Sequence, residues 1–150
     1  MIRKASSADL KDIFSLVENT IKAVYPKFYP SGAVDLYLHN HNKENIEKDI
    51  YENRVFVCCE NNVIVGTVTI CENDISRLYV ADKKQGSGYG TQLLDFAENE
   101  ISKKFQTAVL DCSLPAKNIY IKRGYKETAY KQLQADNGDY LCYDEMEKHF

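Results

Sequence analysis

The sequence lacks three features that would point to particular classes of protein. No apolar run approaches the roughly 20 residues needed to cross a membrane, and the N-terminal segment has no apolar core of the kind found in signal peptides. The net charge is −3, so the chain also lacks the basic excess that drives binding to nucleic-acid phosphates. We therefore expect a cytoplasmic protein that binds neither a membrane nor nucleic acid.

A metal or disulfide framework is missing as well. The five cysteines are odd in number and include no Cys-x-x-Cys pair. Four of them lie within apolar, β-rich runs and Cys112 ends another, where a cysteine behaves as a small apolar residue. We expect free thiols in a reducing compartment and no metal site.

What is present indicates one α/β (α+β) domain over residues 1–150. Apolar residues at three- and four-residue steps predict a helix over 10–24, and shorter helices are expected at 33–38 and 45–51. From Arg54 onward β-rich runs dominate, and turn signals separate them. The elements expected there are strands at 55–59, 63–71 and 75–80, a helix at 88–104, a strand at 108–110, a helix at 115–122, and strands at 125–133 and 140–146.

A glycine-rich turn after the third of these strands is the strongest functional signal. Gly86, Gly88 and Gly90 alternate with single residues, just before the predicted helix. Glycine frees such a turn to adopt unusual dihedral angles, and the N–H groups at the start of a helix attract anions. The turn is therefore predicted to bind a phosphate group.

Two common nucleotide loops fit the turn poorly. A P-loop needs a lysine and a hydroxyl residue directly after its last glycine, whereas Thr91 and Gln92 follow here. A dinucleotide fingerprint places its first glycine almost immediately after the strand, whereas residues 81–85 intervene. Thr91 also replaces the third glycine of that fingerprint. A turn that serves packing alone is the remaining alternative, although three alternating glycines exceed what packing requires.

The turn closely resembles the acetyl-CoA motif of the GCN5-related N-acetyltransferase (GNAT) family, Gln/Arg-x-x-Gly-x-Gly/Ala. The resemblance extends from the strand at Ile2 to the strand at 140–146 and implies a mixed, mostly antiparallel sheet flanked by helices. It also implies acetyl-CoA as cosubstrate, with the pantetheine arm along the preceding strand and the pyrophosphate on the loop amides. The cofactor-binding residues implied in this way are Leu78, Tyr79, Val80, Gln85, Gly86, Ser87, Gly88, Tyr89, Gly90 and Thr91.

A second segment, residues 113–125, resembles the family pattern Asn-x-x-Ala-x-x-Phe-Tyr-x-x-x-Gly-Phe. It matches at Ala116, Tyr120 and Gly124, whereas Ser113 stands at the asparagine position. The resemblance implies that Tyr120 protonates the coenzyme A thiolate. Ser113 and Ala116 are then the corresponding cofactor-contacting positions, and the departure at Ser113 places its side-chain contact in question.

The base and the acceptor site are less sharply defined by the sequence. Asp74 opens the third strand, where many family members carry an acidic residue, and Glu72 lies two residues earlier. An ordered water in place of a direct base is the alternative. Tyr29, His39 and His41 lie in the region between the first helices, where the family's acceptor pocket is expected.

The resulting prediction is an acetyl-CoA-dependent N-acetyltransferase that acts on a primary amine of a small molecule or of a peptide or protein. A non-catalytic module that binds or senses acyl-CoA is the first alternative, and a nucleotide-dependent oxidoreductase is the second. The sequence leaves open whether the chain forms a homodimer.

Overall fold

Seven strands form one sheet in the computed structural model, which describes residues 1–150. The strands are β1 (Ile2–Lys4), β2 (Val55–Glu60), β3 (Val63–Cys71), β4 (Asp74–Val80), β5 (Thr107–Cys112), β6 (Lys126–Gln134) and β7 (Tyr140–His149). Their order across the sheet is β1-β2-β3-β4-β5-β7-β6. Every neighbouring pair is antiparallel except β4 and β5, which are parallel. The prediction of a mixed, mostly antiparallel sheet flanked by helices is confirmed.

Three helices cover one side of the sheet, which we call the α1 face. They are α1 (Leu10–Val24), α2 (Ser31–Asn40) and α3 (Lys43–Tyr51). Helix α1 buries Ile13, Val17 and Ile21 completely, because a four-residue step returns each side chain to the same stripe. The α1 face holds one of the two apolar cores, which also includes Tyr79 from β4 and Leu141 from β7.

The opposite side, the α4 face, is covered by α4 (Tyr89–Ser102) and α5 (Lys117–Lys122). Leu93, Leu94 and Ala97 are fully buried there against β3 and β5. Burying each leucine contributes about 1.5–3 kcal/mol. These residues fix the first turn of α4, and therefore the glycine loop before it, at the carboxyl end of β4.

A buried ionic cluster ties the α4 face to the rest of the sheet. The Glu98 carboxylate on α4 accepts hydrogen bonds from Arg123 at 2.8 and 2.9 Å, from the Tyr125 hydroxyl at 3.0 Å and from Lys148 at 3.1 Å. Burial opposes ionisation of Glu98, but these hydrogen bonds lower its pKa below the ordinary value. The cluster thereby links α4, the residue after α5, and β7.

All the predicted elements are present, and their ends differ from the prediction at several points. The strand predicted at 140–146 continues to His149, because residues 144–149 of β7 pair with the whole of β5. The helix predicted at 115–122 is a 3-10 turn at Leu114–Ala116 followed by α5. Helix α2 extends through His39 and Asn40, which the sequence placed in a polar break. No helix of the structure is long and apolar enough to cross a membrane.

Candidate active site

The glycine loop presents a row of main-chain donors to solvent. Gly86 and Gly88 have φ angles of 78° and 90°, in the left-handed region. Apart from the glycine itself and the residues on either side of it, no heavy atom lies within 4 Å of where a Cβ would stand on either residue. The six N–H groups of residues 86–91 have no hydrogen-bond acceptor within the protein. Gly88 is the residue before α4, so the last of these N–H groups lie at the positive end of the helix dipole. This arrangement suits a phosphate or pyrophosphate.

The side chains around the loop hold it in place. The Gln85 side chain turns back, and its Nε2 donates to the Val80 carbonyl oxygen at 3.1 Å, which closes the loop onto the end of β4. Glu60, at the end of β2, accepts from the Tyr89 hydroxyl at 2.6 Å and pairs with Lys84. Hydrogen bonds from Lys84 and Tyr89 lower the pKa of Glu60. Gln85 and Tyr89 therefore position the loop through their side chains, whereas Ser87 and Thr91 leave theirs exposed.

Strands β4 and β5 pair at a single position and then separate. Asp74 faces Val109 there, and the Val109 N–H donates to the Asn73 carbonyl at 2.9 Å. Beyond this point β4 pairs only with β3, and β5 pairs only with β7. The separation leaves a gap in the sheet, lined by main-chain groups of both strands, that leads towards the glycine loop.

A β-bulge at Arg77 sets which main-chain groups of β4 face this gap. The register with β3 shifts at this point, and Arg77 has a φ of 48°. After the bulge, the Ala81 N–H donates to the Val65 carbonyl of β3 at 2.9 Å. Because successive residues of a strand face opposite edges, the N–H groups of Val80 and Leu78 face away from β3 and into the gap. The side chain of Tyr79 joins the core of the α1 face instead.

Tyr120 has a buried ring and a hydroxyl that hydrogen-bonds to no protein group. The residue is 7% exposed and packs edge-on against Tyr125, with ring centroids 5.5 Å apart. Every fully buried polar side-chain atom of the protein has a hydrogen-bond partner, so the unpartnered Tyr120 oxygen must reach solvent. Burial raises the pKa of Tyr120, and the nearby Cys112 and Tyr25 raise it further. The hydroxyl is therefore protonated at neutral pH and available as a donor.

The other predicted residues of this segment lie at the end of β5. Ser113 is half-buried near Tyr25, whose pKa is raised by burial. Ala116 is half-buried and packs against the core of the α4 face. Cys112 is buried, and burial raises its pKa to about 11, so its thiol is protonated and behaves as an apolar group.

The two predicted acidic residues have different surroundings. Asp74 is half-buried at the start of the gap; burial raises its pKa to about 6, and the Asp111 carboxylate of β5 adds to the shift. Burial raises the pKa of Asp111, and Glu145, directly opposite it on β7, adds to the shift, whereas Lys131 acts in the other direction. Glu72 lies in the exposed turn between β3 and β4 and lines a shallow depression of about 370 Å³ beside the end of α4. The structure thus joins Asp74 to the gap and does not bring Glu72 next to it.

Aromatic side chains fill the α1 face next to the gap. The Tyr25 and Tyr79 hydroxyls are hydrogen-bonded at 3.3 Å, and Tyr37 packs edge-on against Tyr25 at 4.6 Å. The Tyr29 hydroxyl accepts from the Leu114 N–H at 2.7 Å, so it anchors the segment that leads into α5. The Tyr29 and Tyr37 hydroxyls lie 3.3 Å apart, so the four rings form a connected wall in which every hydroxyl already has a hydrogen-bond partner.

The two predicted histidines differ in accessibility. His39 is exposed on α2. His41 packs against Tyr37 and Tyr79, and burial lowers its pKa to about 4, with the charge of Arg77 acting in the same direction. His41 is therefore neutral at pH 7, and its Nδ1 accepts a hydrogen bond from Arg77 Nε at 3.2 Å.

Arg77 is the residue of this site that sequence reasoning missed. The alternation of buried and exposed residues along a strand cannot reveal a bulge, because the bulge depends on how β4 pairs with its neighbours. The available signal was a single cation within the apolar run 75–80, since a charge in a buried strand requires a partner.

A model of the family "Acetyltransferase (GNAT) domain" matches residues 25–149. This match covers most of the chain, including the gap, the glycine loop and Tyr120. The chain belongs to the GNAT acetyltransferase family. It is thus an acyltransferase with acetyl-CoA as its cosubstrate, and the free main-chain donors of the loop and the gap fit such a ligand.

Solved structures share the fold at low sequence identity. A GCN5-related N-acetyltransferase from Rhodopseudomonas palustris superimposes with a TM-score of 0.90 at 18% identity, covering 100% of this chain and 95% of that one. The PaiA N-acetyltransferase from Thermoplasma acidophilum, in complex with coenzyme A, has a TM-score of 0.76 at 21% identity, with coverages of 100% and 98%. YncA from Salmonella typhimurium, a putative acetyltransferase with its cofactor acetyl-CoA, has a TM-score of 0.74 at 18% identity, with coverages of 99% and 92%. No curated protein matches the sequence.

Proposed function

We propose that residues 1–150 form one N-acetyltransferase unit, which transfers the acetyl group of acetyl-CoA to a primary amine by direct attack of the amine on the thioester. The acceptor is a small molecule or a peptide or protein. The observation that carries the proposal is the gap between β4 and β5, which leads to the six free N–H groups of residues 86–91. The main-chain groups of the gap suit an arm that contains amides, and the N–H groups of the loop suit the pyrophosphate at the end of that arm. The coenzyme A in the Thermoplasma structure and the acetyl-CoA in the Salmonella structure support this assignment.

Within this proposal Tyr120 is the general acid. The Tyr120 hydroxyl makes no hydrogen bond to the protein, so no such bond breaks when the hydroxyl donates its proton to the thiolate. The raised pKa of Tyr120 keeps this hydroxyl protonated across the neutral range. A thiolate leaving group has an ordinary pKa near about 8.5, so it is basic enough to take a proton from a nearby donor. The Leu78 N–H, free at the edge of the gap, is the donor placed to polarise the thioester carbonyl.

Asp74 is the stronger of the two candidates for the general base. With a pKa of about 6 it is largely ionised at pH 7 and above, yet more basic than an ordinary aspartate. An amine of the lysine type has a pKa near about 10.4 and arrives as an ammonium ion, so a base or a water relay must remove its proton. Glu72 is the second candidate, although its exposed position in the β3–β4 turn favours it less.

The charges near the gap favour an acceptor that approaches as a cation. Asp74, Asp111 and Glu145 come from three adjacent strands, and none of the three is in an ion pair. Asp111 raises the pKa of Asp74, and Glu145 raises the pKa of Asp111, whereas Lys131 lowers the pKa of Asp111. The combined charge of the three carboxylates attracts an ammonium group.

The candidate residues for binding the acceptor amine remain Tyr29, His39 and His41. Only His39 among these three has an exposed ring.

The experiment that tests the proposal follows release of free thiol from acetyl-CoA in the presence of a panel of amines. The panel contains diamines, amino-acid amides and lysine-containing peptides, together with neutral and anionic amines as comparison. Amine-dependent thiol release with acetylated product is the expected result. Tight binding of acetyl-CoA with no turnover on any amine would instead favour the non-catalytic acyl-CoA sensor, and binding of NADH in place of acetyl-CoA would favour the oxidoreductase.

Two broader features belong to the proposal. We place the protein in the cytoplasm, which the five free thiols support because a reducing compartment keeps cysteines unpaired. A homodimer stays a prediction that sedimentation of the purified chain tests.

A further inference from the structure

Arg77 has an unusual backbone for a residue within a strand. Five residues other than glycine have positive φ angles, and four of them lie in turns: Asn53, Asn61, Asn62 and Glu72. Arg77, with a φ of 48°, is the only one inside a strand. A side chain in the left-handed region carries a conformational cost, which persists only where the surroundings hold the residue in place.

The surroundings that hold Arg77 come from three separate elements. Its guanidinium donates to Asp49 of α3 at 2.8 Å and to the Thr69 hydroxyl of β3 at 3.2 Å. Its Nε donates to Nδ1 of His41, in the loop between α2 and α3, at 3.2 Å. The side chain is only 8% exposed, so these contacts are made largely out of water and its charge is balanced by Asp49.

The bulge that Arg77 forms decides the orientation of the next residue. Ser76 pairs with Thr69 of β3 before the bulge, and Tyr79 pairs with Thr67 after it. Because one extra residue lies between these pairs, the alternation of β4 is reversed, and the Leu78 N–H faces the gap. In a regular strand with the same Ser76 pairing, Leu78 would face β3 instead.

We propose that Arg77 is a positioning residue for acetyl transfer: its guanidinium, held by Asp49, Thr69 and His41, fixes the bulge that directs the Leu78 N–H into the gap. This inference rests on the proposed function, in which the thioester lies along β4. Arg77 itself points to the α1 face and acts on the reaction through Leu78. Its loss therefore changes the rate of the chemical step more than the affinity for coenzyme A, which the glycine loop supplies.

The test compares Arg77→Ala and Arg77→Lys with the matched control Arg54→Ala. Arg54 is the other cation paired with Asp49, at 3.5 Å, but it lies before β2, pairs also with Glu52, and donates to neither Thr69 nor His41. We expect Arg77→Ala to lower kcat at least tenfold while the Kd for coenzyme A stays within threefold. Arg77→Lys, which keeps one donor for Asp49, recovers at least threefold of this loss, and Arg54→Ala leaves kcat within twofold.

Two results would overturn the inference. One is a folded Arg77→Ala protein whose kcat stays within threefold of the unmodified chain; the other is an equal loss of kcat in Arg54→Ala. If Arg77→Ala does not fold, Asp49→Asn removes the charged partner and leaves the strand sequence intact. A kcat unchanged by Asp49→Asn contradicts the inference, and a fall of threefold or more supports it.

A readout independent of turnover separates this inference from the proposed function. In the unmodified protein, acetyl-CoA is expected to shift the Leu78 amide resonance more than coenzyme A does, and Arg77→Lys or Asp49→Asn is expected to reduce that difference. An unchanged difference in both variants refutes the role of Arg77. Absence of turnover on every amine refutes the proposed function alone.

Discussion

Replacing Tyr120 with phenylalanine removes a single oxygen atom from the site. The Tyr120 hydroxyl has no hydrogen bond to the protein, so no group is left unpaired and the free energy of unfolding should change by less than about 0.5 kcal/mol. The catalytic effect should be much larger. A positioned general acid contributes about 10²–10⁴-fold to the rate of a proton-transfer step.

The expected magnitude lies at the low end of that range. With ordinary pKa values of about 10 for tyrosine and about 8.5 for a thiol, proton transfer from Tyr120 to the thiolate is uphill by about 1.5 pKa units, or roughly 2 kcal/mol. Burial raises the pKa of Tyr120 further, which makes it a weaker acid still. We therefore expect Tyr120→Phe to lower kcat about 100-fold, with a smaller effect on the Kd for coenzyme A.

The assay is steady-state release of free thiol, with Tyr125→Phe as the matched control. Tyr125 packs against Tyr120, but its hydroxyl donates to Glu98 at 3.0 Å. Its loss should reduce the free energy of unfolding by about 1–2 kcal/mol and leave kcat unchanged. A kcat for Tyr120→Phe within threefold of the unmodified protein would refute the assignment of Tyr120 as the general acid.

Three further predictions concern the base, the loop and the ionic cluster. The unmodified enzyme should lose kcat/KM as the pH falls through about 6, because Asp74, the proposed general base, can accept a proton only when it is ionised. Asp74→Asn should abolish this decrease in kcat/KM at low pH. Gly88→Ala should weaken coenzyme A binding about tenfold, measured by calorimetry, because an alanine side chain is strained in the left-handed conformation of Gly88. The control Gly138→Ala changes a glycine with a similar φ of 91° in the β6–β7 turn and should leave binding unchanged. Arg123→Met should lower the free energy of unfolding by about 2–3 kcal/mol at pH 7, measured by urea denaturation. Hydrogen bonds lower the pKa of Glu98 in the folded state, so this difference should shrink as the pH falls below the ordinary range of a glutamate and Glu98 becomes protonated.

Local signals in the sequence predicted most of the fold and the loop. Helix α1 follows from its four-residue apolar step, and the β6–β7 hairpin follows from the Asn137–Gly138 turn, because both depend on residues near one another in the chain. The loop of residues 86–91 was predicted for the same reason. Its glycines supply the positive φ angles that the structure shows at Gly86 and Gly88.

The parts that escaped prediction depend on contacts between distant segments. The bulge at Arg77 is held by Asp49, which is 28 residues earlier, and no periodicity marks it. The raised pKa of Asp74 depends on burial and on Asp111 of the adjacent strand, which become neighbours only once β4 pairs with β5. Likewise, the sequence could not show that the Tyr29 hydroxyl would be used by the Leu114 N–H, 85 residues away.

The most direct test of the account is a calorimetric titration of the purified chain with acetyl-CoA, repeated with Gly88→Ala, Gly138→Ala and NADH. The account predicts saturable one-site binding of acetyl-CoA that is weakened in Gly88→Ala, unchanged in Gly138→Ala, and absent with NADH. Failure of the unmodified chain to bind acetyl-CoA, or equal binding by the Gly88→Ala variant, would contradict the claim that the free amides of residues 86–91 hold the cosubstrate.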